Sequence, residues 1–232
     1  MGDTPTVRSI ATGTHGRYLV ALPSGAGPWP VLVGFHGYME HAERHLSHLK
    51  KIPGSADWLL VSVQGLHRFY TPNHRQVIAS WMTSQDRKLA IADNLAYVGA
   101  VVGEVKQEFQ TTDALVYAGF SQGVAMAYRA ATLSIHPGTG ILALAGDVPP
   151  ELRDDLSITW PPVLVGRGQE DDWYTKAKMD ADLAFLSPRV SWLESVEFDG
   201  GHEWTNEFLA ASGRFLNACR IGIEHRRPGP SN

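Results

Sequence analysis

The sequence predicts an α/β fold: one mostly parallel central sheet with helices on both faces and no separate cap domain. Short apolar, β-branched runs alternate with helix-type patterns along the chain, Gly or Pro stands near most of the runs, and no internal repeat interrupts the alternation. At 232 residues, 44% hydrophobic and 19% charged, the chain suffices for a single domain spanning 1–232 and would be cramped as two.

The predicted strands are, in order, Arg17 to Leu22, Val31 to Phe35, Trp58 to Val63, Ala114 to Ala118, Ile141 to Ala145, Val163 to Val165 and Val190 to Phe198. The clearest helix runs from a cap at Ser84 to about Gln110. Its Ile91, Leu95, Val98, Val102, Val105 and Phe109 recur four and three apart, so this stripe packs on the sheet. A second helix is expected over Val124 to Leu133, and a third over Tyr174 to Leu186 with Asp172 as its cap. Two connections, Gln64 to Thr83 and Asp147 to Pro161, are long enough to shape a pocket mouth. The chain from Glu224 onward reads as a loose tail.

Composition excludes some classes of function. The formal charge of -4 gives no basic footprint for nucleic acid, and the one dense basic spot is Arg226-Arg227 in a Pro/Gly tail. The single cysteine, Cys219, cannot form an internal disulfide. No run is long enough to span a bilayer and the first residues hold no apolar segment of signal length, so a cytoplasmic location is expected. Gly2 and Thr6 match the N-myristoylation pattern, which is too short to carry weight. A homodimer is compatible with this sequence, which does not determine the oligomeric state.

Within "VYAGFSQGVAMAYRAA", Gly119-Phe120-Ser121-Gln122-Gly123 is a G-x-S-x-G pattern placed between an apolar strand and a good helix former. The glycines permit a sharp turn that exposes the serine oxygen beside a helix N-terminus, with its free N–H groups and partial positive charge. A serine hydroxyl attacks only if a base takes its proton and a carboxylate orients that base. In this arrangement the chain order is Ser, acid, His. Downstream of Ser121, His136 follows the nucleophile's own helix and His225 sits in the tail, which leaves His202 in "FDGGHEWTNEF". For the acid we choose Asp171 in "GRGQEDDWY", with Asp172, Asp147 and Glu170 as alternatives. The oxyanion needs two donors: the N–H of Gln122, and that of Tyr38 or Met39 after the strand ending in His36-Gly37. His36 itself is expected to brace that loop.

"GFSQGVAMA" with "FHGYME", "GRGQEDDWY" and "GGHEWT", in that order, resembles the phospholipase/carboxylesterase family of α/β-hydrolases, from about Arg17 to Phe215. Trp81 falls where that family places a tryptophan before its long helix. The resemblance implies Ser121 as nucleophile, Asp171 as triad acid, His202 as base, and the N–H groups of Tyr38 and Gln122 as the oxyanion hole. It implies hydrolysis of a small-molecule carboxylic ester, without cofactor or metal. Val124 stands where the family usually has a second glycine, and Tyr38-Met39-Glu40 replaces its Leu-Gly-Asp, changes that leave backbone donors intact but alter the pocket wall.

Met39, Phe69, Tyr70, Trp81, Trp173 and Trp204 are the candidate wall residues, chosen because aromatic and apolar side chains suit an acyl site. His41, His45 and His48 share a helix face at metal-binding spacing, but a solvated face is the commoner outcome. The same triad would serve a thioesterase or an acyltransferase, and the fold could also persist as a non-catalytic binding module.

Overall fold

Strands β2 (Trp29–Phe35), β6 (Thr111–Phe120) and β7 (Gly140–Leu144) form the centre of the sheet, because their apolar runs leave no polar face to turn to water. The computed structural model describes residues 5–224. Gly2, His225, the Arg226-Arg227 pair and the tail beyond Glu224 lie outside the described residues.

Four more strands complete the sheet: β1 (Arg17–Ala21), β3 (Leu59–Gln64), β8 (Val163–Gly168) and β9 (Leu193–Phe198). The order is β1-β3-β2-β6-β7-β8-β9, and only β1 runs antiparallel to its neighbour. Side chains alternate across it. Val31, Val33 and Phe35 join one core with Leu115 and Tyr117, while Leu32, Val116 and Ala118 join the other. Helices α2 (Arg87–Glu108), α3 (Gln122–Leu133) and α5 (Lys176–Leu186) cover the first face. Helices α1 (Ala42–Leu49) and α6 (Asn206–Glu224) cover the second. A single helical turn, α4 (Pro150–Arg153), lies between β7 and β8. Among the described residues no helix is long and apolar enough to cross a membrane. Cys219 is buried and unpaired, and burial pushes its thiol up to about 12.

Several boundaries differ from expectation for local reasons. Helix α2 begins at Arg87 instead of after Ser84, because the Thr83 hydroxyl accepts the Gln85 N–H in a local turn that competes with helix. Thr175, not Asp172, precedes α5: the Trp173 and Tyr174 N–H groups are both drawn to Asp171 Oδ1 and cannot start a helix. Strand β9 begins at Leu193 because Val190 still donates to the Leu186 carbonyl at the end of α5. The connection Gln64 to Thr83 contains an antiparallel hairpin, β4 (His67–Tyr70) and β5 (Val77–Ser80). β4 is exposed throughout and carries no apolar alternation, so its sequence gives no strand signal.

Asp182 ties α5 to the loops around the sheet's C-terminal end. Its carboxylate accepts from the Val148 N–H at 3.2 Å and the Tyr174 hydroxyl at 2.8 Å, and pairs with Arg153. Burial pushes this carboxyl up to about 6, so these three partners offset a real desolvation cost. Asp182→Ala is expected to destabilise the fold by about 3 kcal/mol, read from the midpoint of urea unfolding.

Candidate active site

The turn between β6 and α3 holds Ser121 at φ 53°, ψ -120°, a conformation that costs energy for any residue with a Cβ. Its N–H donates to the Leu144 carbonyl at 2.9 Å and its carbonyl accepts from Val124 at 2.9 Å, so both ends of the strained residue are held. Packing explains the flanking glycines. A Cβ on Gly119 would stand 2.4 Å from the Gly123 carbonyl oxygen, and one on Gly123 would stand 2.1 Å from that of Phe35.

The acid loop after β8 and the histidine loop after β9 are joined backbone to backbone. Gln169 donates to the Phe198 carbonyl and Glu170 to that of Gly200, each at 2.9 Å, and a Cβ on Gly168 would lie 2.1 Å from the Gly201 oxygen. This brings Asp171 to His202. Asp171 is 3% exposed; its Oδ1 accepts from the N–H groups of Trp173 (2.8 Å) and Tyr174 (2.9 Å), and its Oδ2 from His202 Nδ1 (2.8 Å). Glu170, Asp172 and Asp147 are exposed. The carboxylate accepts the Nδ1 proton and so leaves Nε2 with its lone pair. The His202 ring packs against Phe120 at 5.1 Å and borders the same cleft of about 290 Å³ as Ser121. A larger cleft, of about 510 Å³, opens at the opposite end of the sheet around Pro23, Trp29 and Arg220, with no histidine among its walls to serve as a base.

The loop after β2 separates the two donor candidates. Met39 N–H is committed to the Ala79 carbonyl at 3.0 Å, and Gly37 N–H to Glu40 Oε2 at 2.8 Å, whereas Tyr38 N–H has no acceptor among the described residues. The Gln122 N–H opens α3 and has no acceptor within the helix. The side chain of Gln122 has a second role that sequence reasoning missed: Oε1 accepts from Trp81 N–H at 2.9 Å and Nε2 donates to the Met82 carbonyl at 2.9 Å. The amide thus fastens the segment after β5 to the turn.

His36 is fully buried and braces its loop as expected. Nε2 accepts from Gly65 N–H at 2.9 Å and Nδ1 meets the Gly37 carbonyl at 2.7 Å, an arrangement that needs a neutral ring. Burial lowers its pKa to about 4.

Of the six candidate wall residues, Trp173 borders the cleft, 77% exposed. Trp81 is a correction: it is fully buried, edge-on to Phe35, with its indole N–H donated to the His36 carbonyl at 2.9 Å, because its bulk fills the core beneath the loop after β2. Trp204 packs between His48 and Phe208 on the α1 and α6 face. Met39, Phe69 and Tyr70 are exposed on the oxyanion loop and the hairpin, with Tyr38 and Phe69 ring to ring at 6.2 Å. The cleft instead includes Met82, Arg87, Arg129, Asp147 and Lys178, charged and flexible residues that gave no aromatic signal. The three histidines of α1 do not converge: His41 accepts the Arg44 N–H as a cap, His45 is buried with neither ring nitrogen hydrogen-bonded, and His48 stacks on Trp204. Among the described residues no group of three His, Cys, Asp or Glu side chains could hold a metal ion.

Comparison with solved structures places this architecture. The carboxylesterase of Bacillus cereus superposes with a TM-score of 0.68 at 14% identity, over 88% of this chain and 94% of that one. The chain has the α/β-hydrolase fold. It is also similar to esterase PE8 (TM-score 0.67, 21% identity, 88% and 98% covered) and to acyl-protein thioesterase 2 of Zea mays (0.65, 18%, 88% and 99%). No family model matches the sequence, and no curated protein does.

The buried imidazoles give stability a pH dependence. Unfolded, His36 takes a proton at its ordinary value of 6.5; folded, it does so only near 4, so stability is full above pH 6.5 and falls as pH drops through that window. The loss from this residue is about 3 kcal/mol. Urea unfolding from pH 7 down to pH 4 is expected to show the decline, with a shallower dependence in His36→Asn.

Proposed function

We propose that the protein is a serine carboxylesterase that works through an acyl-enzyme. The observation that carries this reading is the hydrogen bond between His202 and a buried, fully partnered Asp171, at the rim of the cleft that also contains strained Ser121.

Ser121 Oγ attacks the ester carbonyl carbon while His202 Nε2 takes its proton. The negative charge on the carbonyl oxygen is met by the N–H groups of Tyr38 and Gln122, and Asp171 stabilises the imidazolium. Collapse expels the alcohol, which receives the proton from His202. Water then enters and attacks the acyl carbon as its proton passes to His202, and the second tetrahedral intermediate collapses as His202 returns that proton to Ser121 Oγ, releasing the carboxylic acid. The geometry supports each role. Asp171 spends Oδ1 on two backbone amides and Oδ2 on the imidazole, so the carboxylate cannot rotate away. The Gln122 side chain holds the Trp81–Met82 backbone against α3, and the Trp81 indole holds the His36 carbonyl, so the donor N–H groups are set before substrate arrives. A cleft of about 290 Å³ suits a small ester.

Hydrolysis of p-nitrophenyl esters from acetyl to palmitoyl, wild type beside Ser121→Ala, tests the reading. Turnover is expected with the shorter acyl chains and is expected to fall on the order of 10³-fold or more in Ser121→Ala and in His202→Ala, with a smaller loss in Asp171→Asn. Equal turnover in wild type and Ser121→Ala would sink the proposal. Tyr38→Ala, which keeps the backbone donor, is expected to hold kcat within about fivefold, where loss of an oxyanion donor costs about 10²-fold or more.

A further inference from the structure

The cleft at Ser121 contains more positive charge than ester hydrolysis needs. Arg87 of α2, Arg129 of α3 and Lys178 of α5 reach it from three elements, against the single carboxylate of Asp147 among its walls. Arg129 is the informative residue. Its side chain is 1% exposed, in a helix whose other buried residues include Met126, Ala127 and Ala130, where an apolar residue would serve packing at no desolvation cost. Its Nε donates to Glu151 Oε1 at 2.7 Å and Nη1 reaches only the Met82 sulfur at 3.8 Å, while Nη2 has no hydrogen-bond partner among the described residues. Glu151 does not neutralise the pair. Its other oxygen accepts from Arg87 Nη2 at 2.8 Å, so one carboxylate is divided between two guanidinium groups, each with N–H donors to spare. Arg87 is also the first residue of α2, where the helix dipole disfavours a cation. Both arginines sit where local energetics oppose them, beside the reacting serine.

We infer that this cleft takes an ester that carries its own carboxylate, which Arg129 and Arg87 bind next to the scissile bond. The inference rests on the esterase reading and narrows it to half-esters of dicarboxylic acids or esters of hydroxy acids. Arginine suits this task because its planar fork matches a carboxylate, and a water-poor pocket strengthens the contact.

Two ester pairs test the inference, each setting a carboxylate against its uncharged amide. Monoethyl glutarate and ethyl glutaramate place the charge on the acyl side; 4-acetoxybutanoate and 4-acetoxybutanamide place it on the alcohol side. In one pair the carboxylate member is expected to show kcat/KM about tenfold or more above its amide, and that pair identifies the side. The preference is expected to drop to about twofold or less in Arg87→Met and in Arg129→Met with Glu151→Gln, a double change that leaves no lone buried charge. Added salt is expected to weaken it. No preference in either pair, or a preference that survives both variants, overturns the inference. Calorimetric titration of Ser121→Ala with glutarate separates this result from the esterase reading. Glutarate binding without ester turnover by wild type would uphold the anion site and sink the esterase; neutral-ester turnover without glutarate binding would do the reverse.

Discussion

Helix α3 approaches the C-terminal end of β2 so closely that Gly123 would carry a Cβ only 2.1 Å from the Phe35 oxygen and 2.7 Å from that of His36. That approach sets Ser121 and the Gln122 N–H beside the loop that bears Tyr38. The same crowding recurs where Gly146, after β7, passes the Ser121 carbonyl, with 2.6 Å between that oxygen and a notional Cβ. A serine at φ 53° persists because the neighbouring backbones leave it no room to relax.

Polar groups buried beneath the cleft convert this packing into fixed donor positions. The His36 ring links Gly37 to Gly65, its carbonyl receives the Trp81 indole, and the Trp81 backbone is held by the Gln122 amide on one side and Asn94 Nδ2 on the other. Each member is hydrogen-bonded in a low-dielectric interior, where such bonds are strong and an unpaired group is costly. The network runs from β2 through the segment after β5 to α3, so the loop after β2 and the turn at Ser121 are tied together. On the far side, the paired loops after β8 and β9 do the same for Asp171 and His202.

The charges near the cleft have two characters. Asp182 and Arg153 hold α5 and α4 together and stay away from the serine. Arg87 and Arg129, in the wall of the cleft, share the one carboxylate of Glu151. Burial is expensive in both places, and at the cleft Arg129 Nη2 has no hydrogen-bond partner among the described residues.

The sequence by itself determined the alternation of strands and helices and singled out the turn at Ser121 and the order Ser121, Asp171, His202, because each depends on local chemistry: apolar period, glycine at a close approach, histidine after paired glycines. For the acid it favoured Asp171 and left Asp172, Glu170 and, in another loop, Asp147 as alternatives. Tertiary structure decided the rest, since it depends on groups distant in the chain. Asp171 is distinguished from Asp172 by burial and by the carbonyls that draw the β9 loop across β8. Tyr38 is distinguished from Met39 by an acceptor on Ala79, forty residues later. Trp81 is core because Phe35 and His36 lie beneath it, which an aromatic residue in a long connection does not announce. Arg129 reads as one polar residue in an alanine-rich helix, and only the packing of α3 against α2 and α4 shows that it is buried, paired with Glu151 and set in the wall of the cleft.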